Sequence, residues 1–236
     1  MHKAVSTLIG IEHIGKIQKC GLALEVAPSQ FGSWYSDAQC TTLENLGKIA
    51  SFQSLFFGTD LNFFKNANAW SEHLIKVVKM AEQLNVPYLV LGGPKSRFKA
   101  DDQCQSDLIG CLVDICSNTT VVIGLEANPT QYGANTFVTG KDTALHIRSA
   151  QIPNLKYHLD VGCALLAQED PKDLLMNNQD IIDAVHISWE KLTPGAYSKQ
   201  YLQFIKTAKH LNKSITLEIL NGAATDIDLF RSVVQL

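Results

Sequence analysis

The chain has no CxxC pair, no GxGxxG turn, no run of basic residues and no apolar stretch approaching the length of a membrane span. Each absence removes a class of protein. With lysine and arginine scattered and a formal net charge of -3, there is no electrostatic footprint for a nucleic-acid partner. A spanning helix needs about 20 consecutive apolar residues, so no membrane partner is expected. Met1 to Gly10 lack the basic start, apolar stretch and small-residue cleavage site of a secretory signal. The six cysteines (Cys20, Cys40, Cys104, Cys111, Cys116 and Cys163) show no zinc spacing, and 236 residues are too many to depend on disulfides. They read as reduced thiols in a cytoplasmic protein. Cys104 and Cys111 share one helical stripe with Leu108, Leu112 and Ile115, which predicts that both sulfurs fill core space.

What is present is a large apolar fraction, 46%, against 18% charged residues, enough to bury one sizeable core. No linker, low-complexity segment or composition break divides residues 1–236, so one domain is expected. Short apolar runs alternate with amphipathic stretches throughout. The runs are Lys3–Thr7, Leu22–Ala27, Ile49–Leu55, Tyr88–Gly92, Val121–Ala127, Lys156–Val161, Ala184–Ser188 and Ser214–Ile219. Between them, Trp70, Leu74, Val77, Val78, Ala81 and Leu84 fall on one face at helical spacing, as do Tyr201, Phe204, Ile205, Ala208 and Leu211. Asp170 before Pro171 reads as a helix cap, and Thr225 as the cap of the last helix. Polar turns such as Gly92-Gly93-Pro94 and Asn128-Pro129 follow several strands. Eight strands alternating with helices, without a glycine-rich first turn, predict a single (β/α)8 barrel rather than an open doubly wound sheet.

In such barrels the functional groups project from the carboxyl ends of the strands. Strand two ends near Glu25 and strand three near Gln53; Glu126, Asp160, His186 and Glu218 end the last four strands in succession. Three carboxylates left bare at a buried barrel mouth would repel one another and lose hydration. Single acids at strand ends often pair with lysine or cap the next helix. Three acids and a histidine at four strand ends in succession instead predict one divalent cation, Mn2+, Mg2+ or Co2+, with Zn2+ also compatible.

At Leu125-Glu126-Ala127-Asn128-Pro129, Leu159-Asp160-Val161-Gly162, His186-Ile187-Ser188 and Leu217-Glu218 the sequence resembles the xylose-isomerase-like superfamily of sugar isomerases and epimerases, over nearly the whole chain. That superfamily includes ketose 3-epimerases, hydroxypyruvate isomerases, inosose-processing enzymes and endonuclease IV. The resemblance implies that Glu126, Asp160, His186 and Glu218 are metal ligands and that Glu126 and Glu218 are also the proton-transfer pair. The segment Val90 to Arg97 is similar to a strand-four turn of a sugar-phosphate isomerase-like branch. The chain departs from ketose 3-epimerases in having Cys163 where they usually carry histidine, and Trp189, Glu190, Lys191 and Leu192 where they tend to carry an arginine. It has no counterpart of the endonuclease histidines near Gln53 and Gly92.

The chemistry implied is proton removal beside a carbonyl, giving an enediolate that is reprotonated from the opposite face or on the neighbouring carbon. A dehydratase that expels a hydroxyl from the same enolate, and a barrel that binds a sugar without turnover, are the alternatives. Glu25 and Gln53 are candidates for binding sugar hydroxyls. His158, two residues before Asp160 and on its side of the strand, is a further binding candidate or a hydrogen-bonded interior residue. Lys95, Arg97 and Lys191 are candidates for a substrate phosphate at the mouth. The expected partner is a small sugar or sugar phosphate, and a homo-oligomer is compatible with the sequence.

Overall fold

The computed structural model describes residues 1–235. Eight strands, β1 (Lys3–Ser6), β2 (Ala23–Val26), β3 (Ile49–Phe52), β4 (Tyr88–Leu91), β5 (Val122–Glu126), β6 (Leu155–Asp160), β7 (Ala184–Ile187) and β8 (Ser214–Leu217), close into a barrel in sequence order. Every neighbouring pair is parallel, including β8 with β1. The helices between them are α1 (Ile14–Lys19), α2 (Asp37–Glu44), α3 (Phe63–Gln83), α4 (Gln105–Cys116), α5 (Gly140–Ala150), α6 (Val161–Leu166), α7 (Pro171–Asn177), α8 (Lys199–His210) and α9 (Ala224–Gln235). The segment after β6 carries two short helices, α6 and α7, where the other strands are followed by one principal helix. Among the described residues, no helix is long and apolar enough to cross a membrane.

The strands are covered on both sides and buried except for Lys3, Val122, Lys156 and Ser214, which are partly exposed near the amino ends of their strands, and so they read as nearly continuous apolar runs. The main core lies between the outside of the barrel and the helices. Trp70, Leu74, Val77 and Ala81 of α3, and Phe204, Ile205 and Ala208 of α8, turn their apolar stripes into it. Tyr88, Val90 and Ala184 form a separate small cluster. Tyr88 can cross toward β6 because Gly124 on β5, the partner of Val90, leaves room where a Cβ would collide with the Tyr88 hydroxyl.

Two local expectations are corrected by the helix ends. Cys104 is the exposed residue preceding α4 rather than part of its buried stripe, and Cys111 is only partly buried. The apolar period is genuine for Leu108, Leu112 and Ile115 but does not extend one turn toward the N-terminus. Thr225 lies inside the first turn of α9, where Asp226 Oδ2 instead accepts the Ala223 amide at 2.7 Å. Asp170 does cap α7, accepting from the amides of Lys172 and Asp173, with Pro171 at the first helical position.

Candidate metal centre and active site

The parallel register carries the polar residues to one end of the barrel. Glu126 pairs with His158, Asp160 with His186, and His186 with Thr216. Because strand side chains alternate, Asp160 shares a face with His158, and Glu218, two residues beyond Thr216, shares that of His186. Glu126, Asp160, His186 and Glu218 thereby converge, each offering an atom within 4.8 Å of the others. All four are buried, His186 completely.

His186 is the hub. Its Nδ1 lies 3.1 Å from Glu218 Oε2, 3.7 Å from Glu126 Oε1 and 3.9 Å from Asp160 Oδ2. On the other side of the ring, Nε2 lies 2.9 and 3.0 Å from the two oxygens of Glu25. Burial alone would lower the pKa of His186. The charges of Glu25 and Glu218, with hydrogen bonds to Glu126 and Glu218, more than offset this and hold the imidazolium well above the ordinary histidine range. For Asp160 the balance runs the other way: burial, then the charges of Glu126 and Glu218, push its pKa up to about 7 against the opposing pull of His186. One Asp160 oxygen accepts the Cys163 amide at 2.5 Å, capping α6, while buried Oδ2 has no hydrogen-bond partner.

An orphaned, buried carboxylate oxygen facing two further carboxylates and one imidazole nitrogen is a donor set that fits a divalent cation. His158 offers a second grouping, with Glu126 and His186. Its ring meets that of His186 edge-on at 4.1 Å, Nδ1 is 3.3 Å from the Tyr88 hydroxyl, and buried Nε2 has no partner. Burial first, then the charge of His186, holds its pKa well below the ordinary value, so it is a neutral interior ring.

Glu126 is held from its own loop. Asn128 Nδ2 donates to Glu126 Oε2 at 2.8 Å, and Arg97 Nη2 donates both to the Glu126 carbonyl, at 2.6 Å, and to Asn128 Oδ1, at 2.5 Å. The carboxylate lies against the β4 turn so closely that a Cβ at Gly92 would strike Glu126 Oε2. Above these groups opens a cavity of about 590 Å³, with Glu126, Asp160 and Glu218 on its wall.

The other sequence candidates divide. Gln53 lines the cavity, with Nε2 donating to Ser6 Oγ at 2.5 Å and Oε1 accepting from Ser54 Oγ at 3.0 Å; Lys95 lines it as an exposed side chain. Glu25 does not line the cavity: it is 1% exposed, accepts Ser51 Oγ at 2.7 Å and backs His186. Its position at a strand end was legible, but the side chain points across the barrel rather than toward the mouth. His158 does not line the cavity either. Arg97, expected at the mouth, is fully buried beside Phe137, with its ring contact at 5.9 Å, and its charge is directed at the β5 loop. Lys191, also expected there, is exposed outside the cavity lining, and only its backbone amide is engaged, with the Tyr132 hydroxyl at 2.9 Å. Asn128 and Ser51 have site contacts that the sequence reading did not assign. Asn128 was visible as a turn residue before Pro129 and within the Leu125–Pro129 motif, with no role of its own, and Ser51 had no local signal.

The chain has a closed parallel (β/α)8 barrel fold, which it shares with solved structures that include a xylose isomerase-like TIM barrel/4-hydroxyphenylpyruvate dioxygenase fusion protein, at TM-score 0.74 and 16% identity. Solved structures with that shape include a D-tagatose 3-epimerase-like protein, at TM-score 0.77 and 17% identity over 100% of this chain and 96% of that one. An L-ribulose 3-epimerase matches at TM-score 0.76 and 12% identity, covering 98% and 91%. A probable 3-DHS dehydratase from Bacillus anthracis matches at 0.67 and 14%, covering 100% and 98%. At such identities the likeness is one of fold. No protein-family model and no curated protein sequence matches the chain.

Proposed function

We propose that this protein is a divalent-metal-dependent sugar isomerase or epimerase that moves a proton on carbon beside a carbonyl. Glu126, Asp160, His186 and Glu218 are the proposed metal ligands, and Glu126 and Glu218 the proton-transfer pair. The observation that carries this reading is the convergence of three buried carboxylates and one imidazole on the wall of a cavity, with Asp160 Oδ2 left without a partner. Sugar epimerases among the proteins of the same shape support a sugar as the substrate class.

A divalent cation bound by these residues supplies polarisation of the substrate carbonyl and offsets negative charge on its oxygen. The chain's own groups do the rest. Glu126 at the end of β5 and Glu218 after β8 flank Asp160 and His186, so they approach a sugar from different sides. One carboxylate takes the proton; the C–H electron pair becomes a carbon–carbon double bond as the carbonyl pair moves onto oxygen. Return of a proton from the other carboxyl to the same carbon on the opposite face inverts it as the carbonyl re-forms; return to the former carbonyl carbon, with the neighbouring hydroxyl proton passing to the oxyanion so that its oxygen becomes the new carbonyl, gives the isomer. Arg97 and Asn128 fix the Glu126 carboxylate through the contacts described above, and Glu25 fixes the ring of His186. The same pair would expel a hydroxyl in a dehydratase, a reading favoured by the dehydratase of like shape; loss of water in the product separates the two.

The test is solvent deuterium exchange into ketoses by Mn2+-loaded protein, with Glu126→Gln and Glu218→Gln alongside. Each variant is expected to lose roughly 10²–10⁴-fold in turnover, and metal content measured in the same samples separates loss of the base from loss of the ion. A metal-loaded variant that exchanges and converts substrate at the parent rate removes that glutamate from the mechanism.

A further inference from the structure

The cavity has two unlike walls. One is the carboxylate cluster; the other is the loop between β3 and α3 with the turn after β7, where Phe57, Leu61 and Leu192 face the same space. Phe57 is 72% exposed, the most exposed of the large apolar side chains in the described residues. A large exposed aromatic on a cavity wall marks surface that a ligand can cover.

The loop that presents it is built and fixed. Trp34 Nε1 donates to the Phe57 carbonyl at 3.2 Å, the His73 ring meets the Leu55 carbonyl at 2.7 Å, and Thr59 Oγ1 donates to the Phe56 carbonyl at 2.9 Å. Phe56 stacks on Trp70 with ring centroids 4.8 Å apart. Phe57 is therefore turned outward by an anchored backbone, while its neighbour Phe56 goes into the core.

Charge argues against an anionic ligand end. Lys95 is the one lysine or arginine on the cavity wall, beside Asp60, Glu126, Asp160 and Glu218, so even a bound divalent cation leaves acid in excess. The guanidinium of Arg97, which would suit a phosphate by its bidentate geometry, is fully buried off the cavity wall, with Nη2 held by the Glu126 carbonyl and Asn128 Oδ1. The first turn of α6, which begins at the site, has its Cys163 amide already taken by Asp160.

We infer that the substrate is an uncharged sugar carrying an apolar substituent, such as an aryl or benzyl group, which rests on Phe57, Leu61 and Leu192, rather than a sugar phosphate. The inference rests on the proposed isomerase or epimerase chemistry and specifies what that site accepts. Lys95 then serves as a hydrogen-bond donor to sugar oxygen at the rim.

The experiment compares three ketohexoses with the same reacting carbons: the free sugar, its terminal phosphate and its terminal benzyl ether. The readout is kcat/KM for deuterium exchange with Mn2+-loaded protein. The benzyl ether is expected to exceed the free sugar about tenfold or more, as burial of a phenyl ring allows, and the phosphate to fall below it. In Phe57→Ala with Leu61→Ala the ratio of benzyl ether to free sugar should fall toward one; general damage to the protein lowers both rates and leaves the ratio intact. A phosphate that exchanges fastest, equal rates for benzyl ether and free sugar, or a ratio unmoved by the double variant each overturns the inference while leaving the reaction standing. Absence of exchange with all three sugars sinks the reaction itself, and the inference with it.

Discussion

Replacing Glu25 by glutamine distinguishes a residue that binds sugar from one that orients a ligand to metal. Glu25 is buried, accepts Ser51 Oγ and lies 2.9–3.0 Å from His186 Nε2. With the carboxylate in place, Nε2 carries hydrogen and Nδ1 is directed at Glu218, Glu126 and Asp160. Glutamine keeps the volume and an oxygen for Ser51. It offers His186 either a neutral acceptor or, on rotation, an N–H that drives hydrogen onto Nδ1, where a metal ligand needs a lone pair. A hydrogen bond to a charged group contributes about 1.5–3 kcal/mol, roughly a 10–150-fold effect, and loss of such a partner typically weakens metal binding 10–100-fold. Calorimetric titration with Mn2+ is therefore expected to give a Kd raised 10–100-fold in Glu25→Gln, with the circular dichroism spectrum of the parent. An unchanged Mn2+ affinity accompanied by a raised KM would refute this reasoning and return Glu25 to the sugar.

Arg97→Met is expected to lower stability rather than phosphate affinity, because it strands the Glu126 carbonyl and Asn128 Oδ1 inside the protein. At about 1–3 kcal/mol for each orphaned group, Tm should drop on the order of 10 °C; a change within about 2 °C contradicts the buried clamp. The pH dependence of the metal-free protein follows from Asp160 and His186, both of which hold protons in the folded state more tightly than in the unfolded chain. Where the native state binds more protons, stability falls as pH rises, so metal-free Tm should decline from about pH 5 to about pH 8, with much of Asp160's share lost by pH of about 7. Mn2+ needs deprotonated ligands and should make the stabilisation it confers grow over the same interval; parallel melting curves with and without Mn2+ would contradict that linkage.

The separation between what the sequence told and what it withheld follows from the range over which each signal acts. Strands buried on both faces betray themselves within five or six residues, so all eight were countable, and a polar side chain closing such a run stands out without any partner being known. Those local signals located Glu126, Asp160, His186 and Glu218. Direction is a different quantity. Glu25 and His186 are 161 residues apart and meet because a closed barrel turns the inner faces of β2 and β7 toward one lumen; nothing near Glu25 in the chain states whether its carboxylate turns to the mouth or across the interior. Arg97 failed for a related reason. A charged residue after a glycine-proline turn is ordinarily solvated, and its burial becomes affordable only when another loop brings a backbone carbonyl and an amide oxygen to meet it, which here is the same loop that carries Glu126. The sequence therefore located the atoms that gather at the site, while the groups that aim them, Glu25, Arg97 and Asn128, acquire that role only from contacts made across the fold.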